Sequence, residues 1–97
     1  MATLQIVRFK VNAGVNESEF RALNERFQRE VAPTLPGLVR REATLSTDGE
    51  WVLVLRYTDM DSAHKAGRSD TSEIAQQFMK SINMSTMSAS FHEIMSE

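Results

Sequence analysis

The chain has 97 residues, 41% hydrophobic and 25% charged, which suffices for one core of ordinary composition. Its formal net charge of −2 leaves no cationic excess for a general affinity toward nucleic acid or anionic membrane. It contains no cysteine, which excludes disulfides, thiolate metal sites and thiol catalysis. Repeats and linker-like tracts are missing, so residues 1–97 are expected to form a single domain. No charged leader with an apolar run precedes the first strand pattern, and a cytoplasmic location is expected.

The first strand is Thr3 to Val11, "TLQIVRFKV". Leu4, Ile6, Arg8 and Lys10 share one face, and Gln5, Val7, Phe9 and Val11 the other. A helix follows over "VNESEFRALNERFQREVAP", with Asn16 as N-cap, Glu19 completing a capping box and Pro33 ending it. Phe20, Leu23, Phe27 and Val31 form its apolar stripe, with Asn24 close beside it. The second strand is predicted over Leu38 to Ser46, and the third over Trp51 to Tyr57, with a hairpin turn at Asp48-Gly49 between them. "TDMDSAHKAG" predicts a short helix capped by Asp59 or Asp61 and stopped by Gly67. The next helix is predicted over "DTSEIAQQFMKSIN", with Asp70 and Glu73 as a capping box and Ile74, Phe78 and Ile82 as its stripe. "MSTMS" reads as loop, and Ser88 to Met95 as the last strand.

The order β-α-β-β-α-β, with right-handed crossovers, defines a ferredoxin-like α+β fold with a four-stranded antiparallel sheet and helices on one face. The helix-facing set is then Val7, Phe9, Val11, Val39, Ala43, Leu45, Trp51, Leu53, Leu55, Tyr57 and Phe91. Arg41 and Glu93 fall into it against type and are expected at sheet edges, their side chains reaching outward. The opposite face mixes Leu4, Ile6, Val52, Val54 and Ile94 with Arg8, Arg40, Glu42, Arg56 and His92. Such a half-apolar face predicts a second sheet packed on it in a two-fold homodimer, with those five polar residues in the barrel interior. Arg8 is expected to contact Glu42 or a neighbour across the barrel, and Lys10 to reach water.

The segments "IVRFKVNAGVNESEFRALNERF", "PTLPGLVRREATLS" and "WVLVLRYTDMDSAHKA", with a terminal helix and strand, resemble the dimeric α+β barrel superfamily over nearly the whole chain. The likeness is to its antibiotic-biosynthesis-monooxygenase-like and stress-responsive branches. It rests on "K-x-x-x-G" closing the first strand, the "PG" turn before the second and an aromatic residue ending the third. The resemblance implies a dimeric barrel and a small apolar ligand held between sheet and helices. It also implies a cofactor-independent monooxygenase acting on an apolar or aromatic substrate, or else a non-catalytic stress-response or ligand-binding dimer. A small isomerase or decyclase is a third class. Haem-degrading members carry Asn, Trp and His where this chain has Val7, Tyr57 and the Gln76–Gln77 region, so no haem or other cofactor is expected.

Within that frame Tyr57, Trp51 and His64 are the candidate pocket residues. Trp51 and Tyr57 lie on the helix-facing side of the third strand, where large aromatics ordinarily fill a core. His64 follows that strand and has the chemistry of a general base, although a surface role is the ordinary one for a lone histidine on a polar helix. His92 falls in the predicted barrel interior, where a histidine ordinarily hydrogen-bonds across the interface. The two histidines have no metal-binding spacing, so no metal is expected. The Met-rich C-terminal third supplies gap-filling side chains for a core or an adaptable pocket.

Overall fold

In a computed structural model that describes residues 2–69 and 72–97, β1 (Thr3–Val11) and β3 (Trp51–Tyr57) form the centre of a four-stranded antiparallel sheet. The edges are β2 (Leu38–Leu45) and β4 (Ile82–Glu93), giving the order β2-β3-β1-β4. Three helices, α1 (Glu17–Arg26), α2 (Met60–Ser69) and α3 (Glu73–Ser81), complete the ferredoxin-like order. The predicted alternation sets the central strands. In β3 every odd position from Trp51 to Tyr57 is buried and every even one is half-buried. Val7 and Phe9 of β1 join the same core with Phe20 of α1 and Phe78 of α3.

The helix starts follow from side-chain caps. Asn16 Oδ1 accepts the Glu19 backbone N–H at 3.0 Å, and Asp59 Oδ1 accepts that of Ser62 at 2.7 Å. The α3 cap is Ser72, whose hydroxyl accepts the Ala75 N–H at 3.2 Å. The predicted cap Asp70 lies outside the described residues. Helix α2 runs on past Gly67 to Ser69 rather than stopping there.

Four further expectations are corrected. First, α1 gives way after Arg26 to a π-helical turn over Phe27–Val31 and a 3-10 turn over Ala32–Thr34. The Ala32 N–H reaches back five residues to the Phe27 carbonyl. Pro33, which has no N–H, forces the regular ladder to end here. Second, "MSTMS" is not loop but part of β4, and Ile82 opens that strand rather than closing a helix. The β1–β4 register slips between Arg8↔Ser88 and Lys10↔Asn83. At the slip the Lys10 N–H donates to the Thr86 hydroxyl at 2.9 Å, so a side chain stands in for a strand carbonyl.

Third, Val39 is 61% exposed rather than helix-facing. The β2–β3 register passes from Leu38↔Tyr57 to Arg40↔Arg56, which leaves Val39 as the extra residue of a bulge. Fourth, within the subunit Arg8 pairs with Glu50 (3.2 Å) and not with Glu42, whose carboxylate is taken by Arg40 at 3.3 Å. Lys10 is exposed, as expected, and so is Glu93.

Gly37 precedes β2 with φ of +79° and passes directly beneath α2. A Cβ there would stand 2.5 Å from the Ser62 Cβ, and the Gly37 carbonyl already accepts the Thr58 N–H at 2.8 Å. Gly49, at φ +89° in the hairpin turn, has open space around the same position. Gly49→Ala therefore meets only the left-handed backbone penalty, about 1 kcal/mol. Gly37→Ala adds a collision with the body of α2 and should cost about 3 kcal/mol. Urea denaturation of the two variants is expected to show this order, and equal losses would refute the tight passage.

Candidate functional site

A cavity of about 560 Å³ lies between the sheet and the helices. Val7 and Phe9 of β1 and Leu53, Leu55 and Tyr57 of β3 form its floor. Phe27 of the π turn and Ala75, Phe78 and Met79 of α3 form the opposite wall. The π turn brings Phe27 to 5.2 Å from Phe78, centroid to centroid, closing one side of the wall. The volume and lining are of the kind that holds a small apolar molecule.

Among these walls sits Arg41 of β2, only 6% exposed. It was expected to reach outward from its edge strand; the structure turns it inward instead. Its guanidinium donates from Nη1 to Gln28 Oε1 at 2.9 Å and from Nη2 to Asn24 Oδ1 at 2.8 Å. The same group lies 4.7 Å from the ring centre of Phe27 and 5.7 Å from that of Phe78. Two amide oxygens and two π faces thus replace the water that a surface arginine would keep. Burial disfavours the charge and pushes the Arg41 pKa down to about 10, so the group stays cationic at neutral pH. Its Nε–H, also buried, meets no hydrogen-bond acceptor.

Tyr57 is 1% exposed and lines the same cavity. Burial raises the pKa of its phenol above the usual 10.0, and the Arg41 charge pulls it part of the way back. The other two predicted pocket residues lie elsewhere. Trp51 is buried at the far end of β3, stacked on Phe9 with the rings 2° from parallel, and borders a separate groove of about 830 Å³. That groove also touches Arg21, Glu25 and the Ser46–Gly49 turn. His64 is exposed on α2, where its ring stacks on Phe91 with centroids 4.3 Å apart. The structure therefore brings Tyr57 together with Arg41, and does not bring Trp51 or His64 to the same cavity.

Sequence reasoning missed Arg41 as a site residue, along with its partners Asn24 and Gln28. The available signal was an i,i+4 pair of amides flanking the apolar stripe of α1, opposite a strand position where a cation broke the apolar alternation. On the opposite face His92 Nε2 lies 2.9 Å from the Ser90 hydroxyl and Arg56 pairs with Glu97. The described residues hold no group of three His, Cys, Asp or Glu side chains that could bind a metal ion. Among the described residues no helix is long and apolar enough to cross a membrane.

A four-stranded antiparallel sheet covered on one face by helices, with an apolar cavity between the layers, is a ferredoxin-like α+β subunit. Solved structures share this fold. SnoaB, a cofactor-independent oxygenase from Streptomyces nogalater, matches with a TM-score of 0.76 at 18% identity, covering 99% of this chain and 95% of that one. Rv0793 from Mycobacterium tuberculosis matches at 0.73 and 18%, covering 100% and 98%. A Caulobacter crescentus protein proposed to be an antibiotic biosynthesis monooxygenase matches at 0.74 and 14%, covering 98% and 91%. No family model and no curated protein matches the sequence itself.

The chain contains one tyrosine, so its phenolate absorbance reports Tyr57 alone. Alkaline titration of the folded protein should show an inflection above the ordinary tyrosine value. Arg41→Met removes the charge that favours the phenolate and should move the inflection higher still. The raised pKa stabilises the fold below about pH 10, and that contribution fades as pH climbs through the folded-state value. Arg41 acts with the opposite sign, because the unfolded chain holds its proton longer above pH 10. An Arg41→Met titration curve superimposable on the wild type would refute the coupling.

Proposed function

We propose that this chain is the subunit of a homodimeric barrel that holds an apolar, aromatic substrate between sheet and helices and oxygenates it without a metal or flavin. The cavity beside Tyr57 carries this reading, because a subunit with a filled core would leave no room for a ligand. The likeness to SnoaB, described as a cofactor-independent oxygenase, supports it. In such chemistry the substrate supplies the electrons. An activated ring CH₂ loses its two hydrogens, gains one oxygen atom as C=O, and the second atom of O₂ leaves as water. The chain's part is to exclude water with its apolar walls and to stabilise the substrate in an electron-rich form. Tyr57 is the candidate in contact with substrate. Trp51 backs the wall through Phe9, and His64, stacked on Phe91, does not line the cavity.

The proposed dimer buries the outer sheet face. There Leu4, Ile6, Val52, Val54 and Ile94 are only half-covered in the isolated subunit, between Arg8, Arg40, Glu42, Arg56 and His92. A patch of this kind is characteristic of an interface.

Two measurements test the reading. In an oxygen electrode, a hydroxylated tricyclic arene with an activated CH₂ should draw down O₂ faster with enzyme than without, and Tyr57→Phe should slow that rate about tenfold or more. Tight binding without oxygen uptake would instead make the protein a non-catalytic ligand-binding dimer. Light scattering at micromolar concentration should return the mass of two chains. Arg8→Ala should weaken the association by about 1 kcal/mol, and Lys10→Ala by much less, since its side chain reaches solvent at the rim. A monomer at that concentration would sink the barrel.

A further inference from the structure

One buried cation in a mostly apolar cavity has no structural partner of opposite sign among the described residues. None of the ion pairs among the described residues involves Arg41, and its two acceptors, Asn24 and Gln28, are neutral amides. Glu25 acts on it only as a distant favourable charge. A residue needed only to fill this space would serve better as methionine or leucine, because replacing a buried ion by an apolar group of similar volume is often neutral or stabilising. Yet the guanidinium is held in place by two hydrogen bonds and two ring faces, and one of its donors is left without an acceptor. A fixed, desolvated donor of this kind binds an anion without first having to be ordered.

We infer that Arg41 anchors the ligand's anionic oxygen: the cavity takes an apolar, ring-sized molecule bearing a single carboxylate or phenolate group that pairs with the Arg41 guanidinium. This rests on the reading of the cavity as a ligand site. The remaining walls define the rest of the molecule. Phe27, Phe78, Leu53 and Leu55 offer contact to rings and none to further charge. A multiply charged group such as a diphosphate would face a single buried guanidinium among mostly apolar walls. Lys80 is the other cation of the cavity lining, but it is exposed to solvent and its charge is screened there.

The test is a calorimetric titration of the intact protein at neutral pH with three probes of one ring size: naphthalene-2-carboxylate, 2-naphthol and naphthalene-2-carboxamide. The carboxylate is expected to bind about tenfold or more tighter than the neutral carboxamide. Arg41→Met should bring the two within about twofold while keeping carboxamide binding, and Lys80→Gln should leave the preference in place. The naphthol arm separates the two sources of anionic oxygen. If 2-naphthol binds in its ionised form, seen in its own absorbance, and as tightly as the carboxylate, the group is phenolate-like; if it binds un-ionised and weakly, the group is a carboxylate. Equal affinity for all three probes in the wild type overturns the anchor while the cavity remains a ligand site. No binding of any probe overturns both. The wild-type series decides these outcomes even if Arg41→Met folds poorly. Arg41→Lys, which keeps the charge but loses the planar guanidinium and its hydrogen bonds to Asn24 and Gln28, should retain only part of the preference.

Discussion

The ring of Phe9 is fully buried at the centre of the sheet and meets an aromatic partner from three different elements. Phe20 of α1 meets it edge-on at 6.1 Å, Phe78 of α3 does the same at 5.9 Å, and Trp51 of β3 stacks on it at 6.3 Å. Each such contact adds roughly 0.5–1.5 kcal/mol beyond the area it buries, and together they fix how the helices sit on the sheet. Phe20 also contacts Trp51 and Phe78 directly, at 5.0 Å each, so the cluster is closed on itself. Space in the layer remains to either side of this cluster, with Phe9 and Phe78 facing the apolar cavity and Trp51 the groove. The apolar cavity lies toward Tyr57 and the more polar groove toward Trp51. The candidate site thus lies at one border of this cluster, whose rings supply part of its lining.

Much of this was legible in the residues. The alternation of "WVLVLRY" gave the face, the burial and the central position of β3, and β1 followed from Val7 and Phe9 in the same way. The helix starts were legible where a side chain close in sequence does the capping, as at Asn16 and Asp59. What escaped depends on partners distant in the chain. A run of Ser, Thr and Met beside Lys10 reads as loop until the Thr86 hydroxyl is seen to complete the ladder with β1. Val39 obeys the period of two on paper, and only the pairing with β3 reveals that it is the bulged residue.

The candidate site divides along the same line. Tyr57 was found because strand periodicity aims it at the helices. Arg41 was aimed at the helices by the same periodicity, but an edge strand offers an outward route that a sequence alone cannot close. What closes it is a pair of amides, 17 and 13 residues upstream, and the two phenyl rings against which the guanidinium lies. Two of these four groups, Gln28 and Phe27, lie in the π turn after Arg26, a local deviation with no sequence marker beyond the proline that follows it.

Strand β3 begins at Trp51 and ends at Tyr57, and the chain has no other residue of either type. Each therefore marks a different compartment of the layer, the indole at the polar groove and the phenol at the apolar cavity. The protein carries two separate native chromophores, one per compartment. A molecule entering either space would announce by its optical effect which of the two it had entered, with no label attached.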